Sequence, residues 1–205
     1  DGVAVTGGST GTRVVSISAA NTREVVLRNI NALGMVAGAH SVLGVFDSVT
    51  ALRRVTLENC TSTPPPNSRN SSHMISIFRV NGAPPMQVDS LTLNGCTLRV
   101  LSWFNPTCML NTDPGVRLTI QQLTGADNSV IGVERGPTRM FNLAWDGSNR
   151  IVRATLTNTT LDNVAYLCDA AGGPGPRSTF ILNGLTIRND FGGMTGRADA
   201  FASNV

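Results

Sequence analysis

The sequence has no lysine: all 16 of its basic residues are arginine. Charged side chains make up only 14% of the 205 residues, against the roughly 25% usual for a soluble domain. Aromatic residues make up only 5%. The net charge of +3 rests on arginines that stand singly, Arg53-Arg54 being the one adjacent pair. Scattered cations without interleaved aromatics do not make a nucleic-acid surface, so no nucleic-acid partner is expected. On a β-surface they serve solvated strand faces, cross-strand pairs and the protection of sheet edges. No apolar run reaches the ~18 residues of a membrane helix. The nearest, residues 32–46, is interrupted by His40 and several glycines, and no transmembrane segment is expected. A long apolar stripe of period 3.6 is missing too, which leaves little room for helix. The four cysteines form no Cys-x-x-Cys or Cys/His spacing of the kind that holds zinc. Gly7-Gly8-Ser9-Thr10-Gly11 lacks the lysine and helix of a phosphate loop. Neither metal nor cofactor is expected, and the isolated His40 and His73 read as structural. No leader peptide is visible, and the chain, opening on Asp1, reads as a mature fragment or excised segment.

Threonine, serine, asparagine and glycine fill the place that charge leaves, and they fall in a repeated phrase. Val55-Thr56-Leu57-Glu58-Asn59-Cys60-Thr61 is a short β-run with Val55 and Leu57 on one face, a bend at Asn59 and a small Cys60 turned back inside. It recurs as Val25-Val26-Leu27-Arg28-Asn29-Ile30, Leu91-Thr92-Leu93-Asn94-Gly95-Cys96-Thr97 and Leu118-Thr119-Ile120-Gln121-Gln122-Leu123-Thr124. Two further copies are Ala154-Thr155-Leu156-Thr157-Asn158-Thr159-Thr160 and Phe180-Ile181-Leu182-Asn183-Gly184-Leu185-Thr186. Anchored on Leu27, Leu57, Leu93, Ile120, Leu156 and Leu182, the steps are 30, 36, 27, 36 and 26 residues, the period of a solenoid. A second column of β-like runs, aligned on Leu43, Ile75, Cys108 and Phe141, steps by 32, 33 and 33. Turn signals such as Asn81-Gly82, Asp113-Pro114-Gly115 and Asp146-Gly147 separate the columns. A sandwich would instead show strands every 8–12 residues without a long period.

The expected fold is all-β: a right-handed single-stranded parallel β-helix of about six coils at ~4.8 Å spacing. It forms a single solenoid domain over residues 1–205, with the six anchor residues as its core ladder. Residues 1–20 read as a first, partial coil on Val3, Val5, Val14 and Ile17. Residues 61–72, with Pro64-Pro65-Pro66 and many hydroxyls, are expected to loop outward. Residues 192–205 carry no anchor phrase and are expected to trail along the last coil. Neither end contains an amphipathic cap, although terminal coils of solenoids expose edges and core unless covered. The ends are therefore expected to belong to a longer solenoid or to be covered by end-to-end self-association.

Cys60 and Cys96 occupy the same place in consecutive phrases, within the Cα separation a disulfide allows once coils stack. Two readings stand: a coil-to-coil bridge from an oxidising compartment, or a ladder of small buried thiols. Cys108 and Cys168 read as core. Three glycan acceptor triplets occur, Asn59-Cys60-Thr61, Asn70-Ser71-Ser72 and Asn158-Thr159-Thr160. Asn59 and Asn158 sit at equivalent bends and Asn70 in the outward loop. Asn29, Asn59 and Asn158 also suit the left-handed backbone that a bend demands.

An enzyme acting on polysaccharide would need two carboxylates within ~5–9.5 Å. The best column on the second strand is Asp47, Arg79, Asn111 and Asp169, and its two acids lie about four coils, ~19 Å, apart. Trp103, Phe104, Trp145 and Tyr166 offer a sugar-stacking platform or, more simply, packing. No catalytic set emerges.

The phrases Val55-Thr56-Leu57-Glu58-Asn59-Cys60-Thr61 and Leu91-Thr92-Leu93-Asn94-Gly95-Cys96-Thr97, in a threonine-rich and lysine-free setting, resemble repeats of kinetoplastid surface proteins of the trypanosome dispersed gene family type. The resemblance spans most of residues 25–188. It implies a long extracellular β-helix, glycosylated and membrane-anchored, with an adhesive or structural role; this chain departs in lacking an anchor segment. The expected function is thus an extracellular or cell-surface structural solenoid glycoprotein, an elongated stalk or a fibre stacked end to end. The alternative is a polysaccharide lyase or hydrolase, or a glycan-binding adhesin.

Overall fold

The computed structural model describes residues 4–6, 13–33, 40–46, 48–64, 72–78, 84–101, 107–113, 116–133, 138–143, 149–164, 166–170, 179–188 and 201–204. For 4–6, 40, 72, 166, 168–170 and 201–204 it describes the backbone alone. Every regular element among these residues is a strand, and the strands, numbered in chain order, build three faces. The narrow first face holds β1 (Ala4–Thr6), β4 (Asn31–Leu33), β7 (Thr61–Thr63), β10 (Thr97–Arg99), β13 (Ser129–Ile131), β16 (Thr160–Asp162) and β19 (Thr186–Arg188). The second holds β2 (Arg13–Ile17), β5 (His40–Val45), β8 (Ser72–Ile77), β11 (Cys108–Thr112), β14 (Arg139–Leu143) and β17 (Tyr166–Ala170). The third holds β3 (Glu24–Arg28), β6 (Arg54–Glu58), β9 (Met86–Asn94), β12 (Leu118–Ala126), β15 (Arg150–Thr157), β18 (Thr179–Asn183) and β20 (Phe201–Asn204). All pairings are parallel, each strand lying on its counterpart one coil away, as in β3 on β6 and β6 on β9. The chain is a parallel β-solenoid. No helix among the described residues is long and apolar enough to cross a membrane, which says nothing of strand-built barrels.

The leucine ladder is real but shifted in one coil. Leu27, Leu57 and Leu93 stack directly, then Gly125, then Leu156 and Leu182. Ile120 is buried, but in a separate column between Val88 and Ile151. The assignment of Ile120 to the ladder is therefore corrected to Gly125, and the steps become 30, 36, 32, 31 and 26 residues. The slip has a physical cause. Strand β9 carries two apolar pairs, Met86/Val88 and Leu91/Leu93, out of phase with each other. Between them the N–H groups of Asp89 and Ser90 share the Arg53 carbonyl at 2.8 and 3.1 Å, so two residues oppose one. Such a bulge resets the period of two, and in β12 it offers Leu118-Thr119-Ile120 and Leu123-Thr124-Gly125 as rival copies of one phrase.

The second column shifts as well. Leu43, Ile75, Leu110 and Phe141 stack, whereas Cys108 pairs with His73 and Arg139. Cys108 is thus corrected out of that column by two residues. This face is buried on both sides: Val42, Met74, Met109 and Met140 alternate with the Leu43 column and have no exposed surface. That is why its sequence reads as apolar runs without alternation.

Residues 61–63, expected in an outward loop, are strand β7, laid between β4 and β10, and Pro64 is buried. Residues 65–71 lie outside the described residues. The tail adds strand β20, with Phe201 on Phe180 and Asn204 on Asn183.

Charge is used sparingly and crosswise. Arg28 pairs with Glu58 at 2.6 Å, and Arg54 with Glu24 at 3.3 Å. Each strand of the β3/β6 pair offers one acid and one base, in opposite order, so a slipped register would part both pairs at once. Outside the ladder, hydroxyls stack on the same face, Thr92 on Thr124 at 3.3 Å. At one corner the Arg13 guanidinium lies 4.9 Å from the Phe46 ring and 4.3 Å from the Phe78 ring. These rings stack on each other with centroids 5.6 Å apart, so one arginine clasps three successive coils.

Candidate functional site: the bend seam

Each coil turns from the third face to the first through a single residue of positive φ. These residues are Asn29 (56°), Asn59 (51°), Gly95 (61°), Asp127 (54°), Asn158 (48°) and Gly184 (67°). Asn, Asp and Gly tolerate the left-handed region that other side chains resist. The bend N–H of one coil donates to the next: Asn29 to Glu58 O at 2.9 Å, Asn59 to Asn94 O at 2.8 Å, Asn158 to Asn183 O at 2.8 Å. The bends therefore line up as an outward seam. Asn59 Nδ2 lies 3.4 Å from Asn29 Oδ1, and Asn158 Nδ2 lies 3.2 Å from Asp127 Oδ1. The seam reads Asn/Asp, Asn, Gly twice over. A Cβ at Gly95 would stand 2.5 Å from Asn59 Oδ1, and one at Gly184 2.9 Å from Asn158 Oδ1. Asn59 and Asn158, each in an acceptor triplet, thus have glycine above them.

The residue after each bend turns inward, giving the column Ile30, Cys60, Cys96, Asn128, Thr159 and Leu185. Its polar members reach back to strand-end carbonyls, at Glu58, Asn94 and Thr157 beside the bend N–H that already donates there. Cys60 Sγ lies 3.7 Å from Leu27 O and 3.4 Å from Glu58 O. Cys96 Sγ lies 3.5 Å from Leu57 O and 3.6 Å from Asn94 O. Asn128 Nδ2 donates to Leu93 O at 2.7 Å while its Oδ1 accepts the Cys96 N–H at 3.0 Å. Thr159 Oγ1 donates to Thr157 O at 3.4 Å. From Cys60 to Thr159 a small donor on each floor reaches a strand-end carbonyl of the coil below or of its own coil.

The expected site residues fall here with clear outcomes. Asn59 and Asn158 are exposed on the seam. Asn70 lies outside the described residues, as do the side chains of Trp103, Phe104, Trp145, Tyr166 and Cys168. Cys60 and Cys96 are adjacent and buried, and both stand as free thiols. The Cys96 thiol, donating toward Cys60, holds the Cys60 thiol down at about 7 against its own burial. The same interaction, with burial, pushes Cys96 well up.

Of the column weighed for carbohydrate chemistry, only Asn111 and the backbone of Asp169 are described. Asp47 and Arg79 lie outside the described residues, and Asn111 stacks between Ser76 and Asn142, which itself pairs with Asp169. The described acids are occupied otherwise: Glu24 and Glu58 with arginine, Asp127 with Asn158, Asp89 with Gln87 at 3.4 Å. Asp113 is pushed up by burial, opposed by the charge of Arg13 and by Asn111. Among the described residues no group of three or more His, Cys, Asp or Glu side chains comes together for a metal ion. His73 is a buried acceptor, its Nδ1 receiving the Cys108 N–H at 3.2 Å. The interior keeps a gap of about 10 Å³ walled by apolar residues such as Val45, Leu91 and Ile120, which offers water no partner.

Sequence reasoning missed Gly125, Asn128 and Arg13. Asp127 carried a signal, a turn former four residues after Leu123-Thr124, matching the place of Gly95 after Leu91-Thr92.

Continuous ladders on three faces, closed by one seam, define a β-solenoid with a buried thiol and amide column. Comparison with protein-family models, with curated proteins and with solved structures returns no match.

Proposed function

We propose that the chain is a structural solenoid of the cell surface or extracellular space, a glycoprotein that lengthens into a stalk or fibre by stacking end to end. The observation that carries this reading is the first coil. Val14, Val15, Ile17 and Leu27 pack on the core yet are only partly buried, while their counterparts Val42, Leu43, Val45 and Leu57 are at most 1% exposed. At this end β3 and β2 are edge strands, and at the other β20 and β17 are, all with the same parallel sense. A second copy set head to tail would continue each sheet and roof the partly exposed apolar layer. The contact is heterologous, so it propagates. The resemblance to kinetoplastid surface repeats points the same way, and so do acceptor asparagines on an exposed seam. Among the described acids, Glu24 and Glu58 each face an arginine rather than a second carboxylate.

Electron microscopy and sedimentation of the purified chain test the assembly. Rods longer than the ~30 Å of one chain are expected to grow with concentration, and Leu27→Arg is expected to leave folded monomers. Monomers of the unaltered chain at every concentration would end this reading. Intact mass of native material tests the surface assignment: hexose-spaced mass above 21.6 kDa, lost stepwise in Asn59→Gln and Asn158→Gln, is expected. The bare mass would contradict it.

A further inference from the structure

We propose that Cys60 and Cys96 are a dithiol built to close into a disulfide that staples the second coil to the third. The two residues are counterparts in adjacent coils: Thr97, next to Cys96, pairs with Thr61, and its N–H donates to Cys60 O at 2.9 Å. Strands so paired stand ~4.8 Å apart, inside the 4.4–6.8 Å Cα window of a disulfide. The sulfurs converge on one strand end, Cys96 Sγ 3.5 Å from Leu57 O and Cys60 Sγ 3.4 Å from Glu58 O. Closure asks for no backbone shift of a whole coil.

Asn128 stands beyond Cys96 in the same column, its Oδ1 on the Cys96 N–H at 3.0 Å. Both thiols lack exposed surface in the folded chain. Oxidation therefore belongs to folding, when the second and third coils are laid down and the fourth does not yet cover them. The chemistry requires a small-molecule disulfide as oxidant. The Cys60 thiolate, the form favoured by the Cys96 S–H beside it, attacks one sulfur of the oxidant and expels the other as thiolate. Cys96 then loses its proton and attacks the mixed disulfide, releasing the second thiol. Two S–H bonds are lost, one S–S bond forms, and the two electrons reduce the oxidant to two thiols. Once the fourth coil seats, reductant is excluded as oxidant was.

The test is refolding of the full chain from denaturant, in a mixture of glutathione and its disulfide or in reductant alone, followed by peptide mapping and thermal unfolding. The expected product is native in circular dichroism, about 2 Da lighter, with Cys60 and Cys96 joined. It should melt roughly 8 °C above the reduced form and keep its bridge under reductant at room temperature. Cys60→Ser and Cys96→Ser should each abolish the difference, and Cys108→Ser with Cys168→Ser should keep it. Native-like protein retaining free Cys60 and Cys96, a bridge mapped to another pair, or a temperature difference that survives Cys60→Ser would each overturn the proposal.

Discussion

Replacing Leu93 with aspartate is expected to unfold the middle coils at room temperature. Leu93 sits at the centre of the ladder between Leu57 and Gly125, with no exposed surface. Truncation of such a side chain alone costs about 2–5 kcal/mol, and a carboxylate buried there without a partner adds several more. The total matches or exceeds the whole stability of a typical domain, about 5–15 kcal/mol. Circular dichroism should show the strand signal lost or a melting transition lowered by tens of degrees. Val26→Asp is the matched control: Val26 lies one residue from the ladder but points outward at 40% exposure, and its cost should stay near 1 kcal/mol. If Leu93→Asp melts like the unaltered chain, the stacked interior is wrong.

Restoring the missing leucine should also damage the protein. Gly125 occupies the ladder position, and consensus reasoning would fill it. A Cβ there already meets Asn128 Nδ2 at 2.8 Å and Leu156 Cδ2 at 2.9 Å, so Gly125→Leu is expected to cost about 3 kcal/mol or more through overpacking. The space belongs to Asn128, which leans in to satisfy Leu93 O and the Cys96 N–H. Asn128→Ala leaves the Cys96 N–H without this partner in the interior and takes one donor from Leu93 O, at about 1–3 kcal/mol. The two changes compete for one volume. Gly125→Ala combined with Asn128→Ala should therefore destabilise less than the sum of the singles, by about 1 kcal/mol in a denaturant cycle. Strict additivity would mean that glycine and asparagine are independent, contrary to this packing.

These two positions also mark where the sequence stopped being readable. The stacked-coil architecture was legible because Val55/Leu57, Leu91/Leu93 and Ala154/Leu156 repeat a local pattern, with Asn or Gly at the same offset. The fourth coil was not. Its ladder residue is a glycine and its inward residue an asparagine, so the only strong apolar pair left, Leu118/Ile120, drew the alignment five residues astray. Hydrophobic pattern carries no information about a polar side chain that fills an apolar slot through hydrogen bonds to another coil. The doubly buried second face failed for a related reason: Met74-Ile75 and Met109-Leu110 have no alternation to fix the phase, and Cys108 passed for a neighbour two positions on. Crosswise pairs such as Arg28–Glu58 are 30 residues apart and visible only once the coil length is known. Of the seam, the Asn59 and Asn158 bends could be read because a residue type and a backbone demand coincide there. The state of the thiols could not, since proximity and oxidation are separate facts.

The narrow face has a consequence for how such a molecule changes over time. It is three residues wide in every coil, and from β4 onward two residues always lead into it, while the stretch from one ladder position to the next ranges from 26 to 36. Variation in length falls in the third-face strands, of five residues in β6 and nine in β9, and in the connecting segments, and the narrow face never sees it. Such a chain works as a ruler. Duplicating or deleting one unit alters its reach by a fixed increment, without renegotiating any contact beyond the nearest two floors.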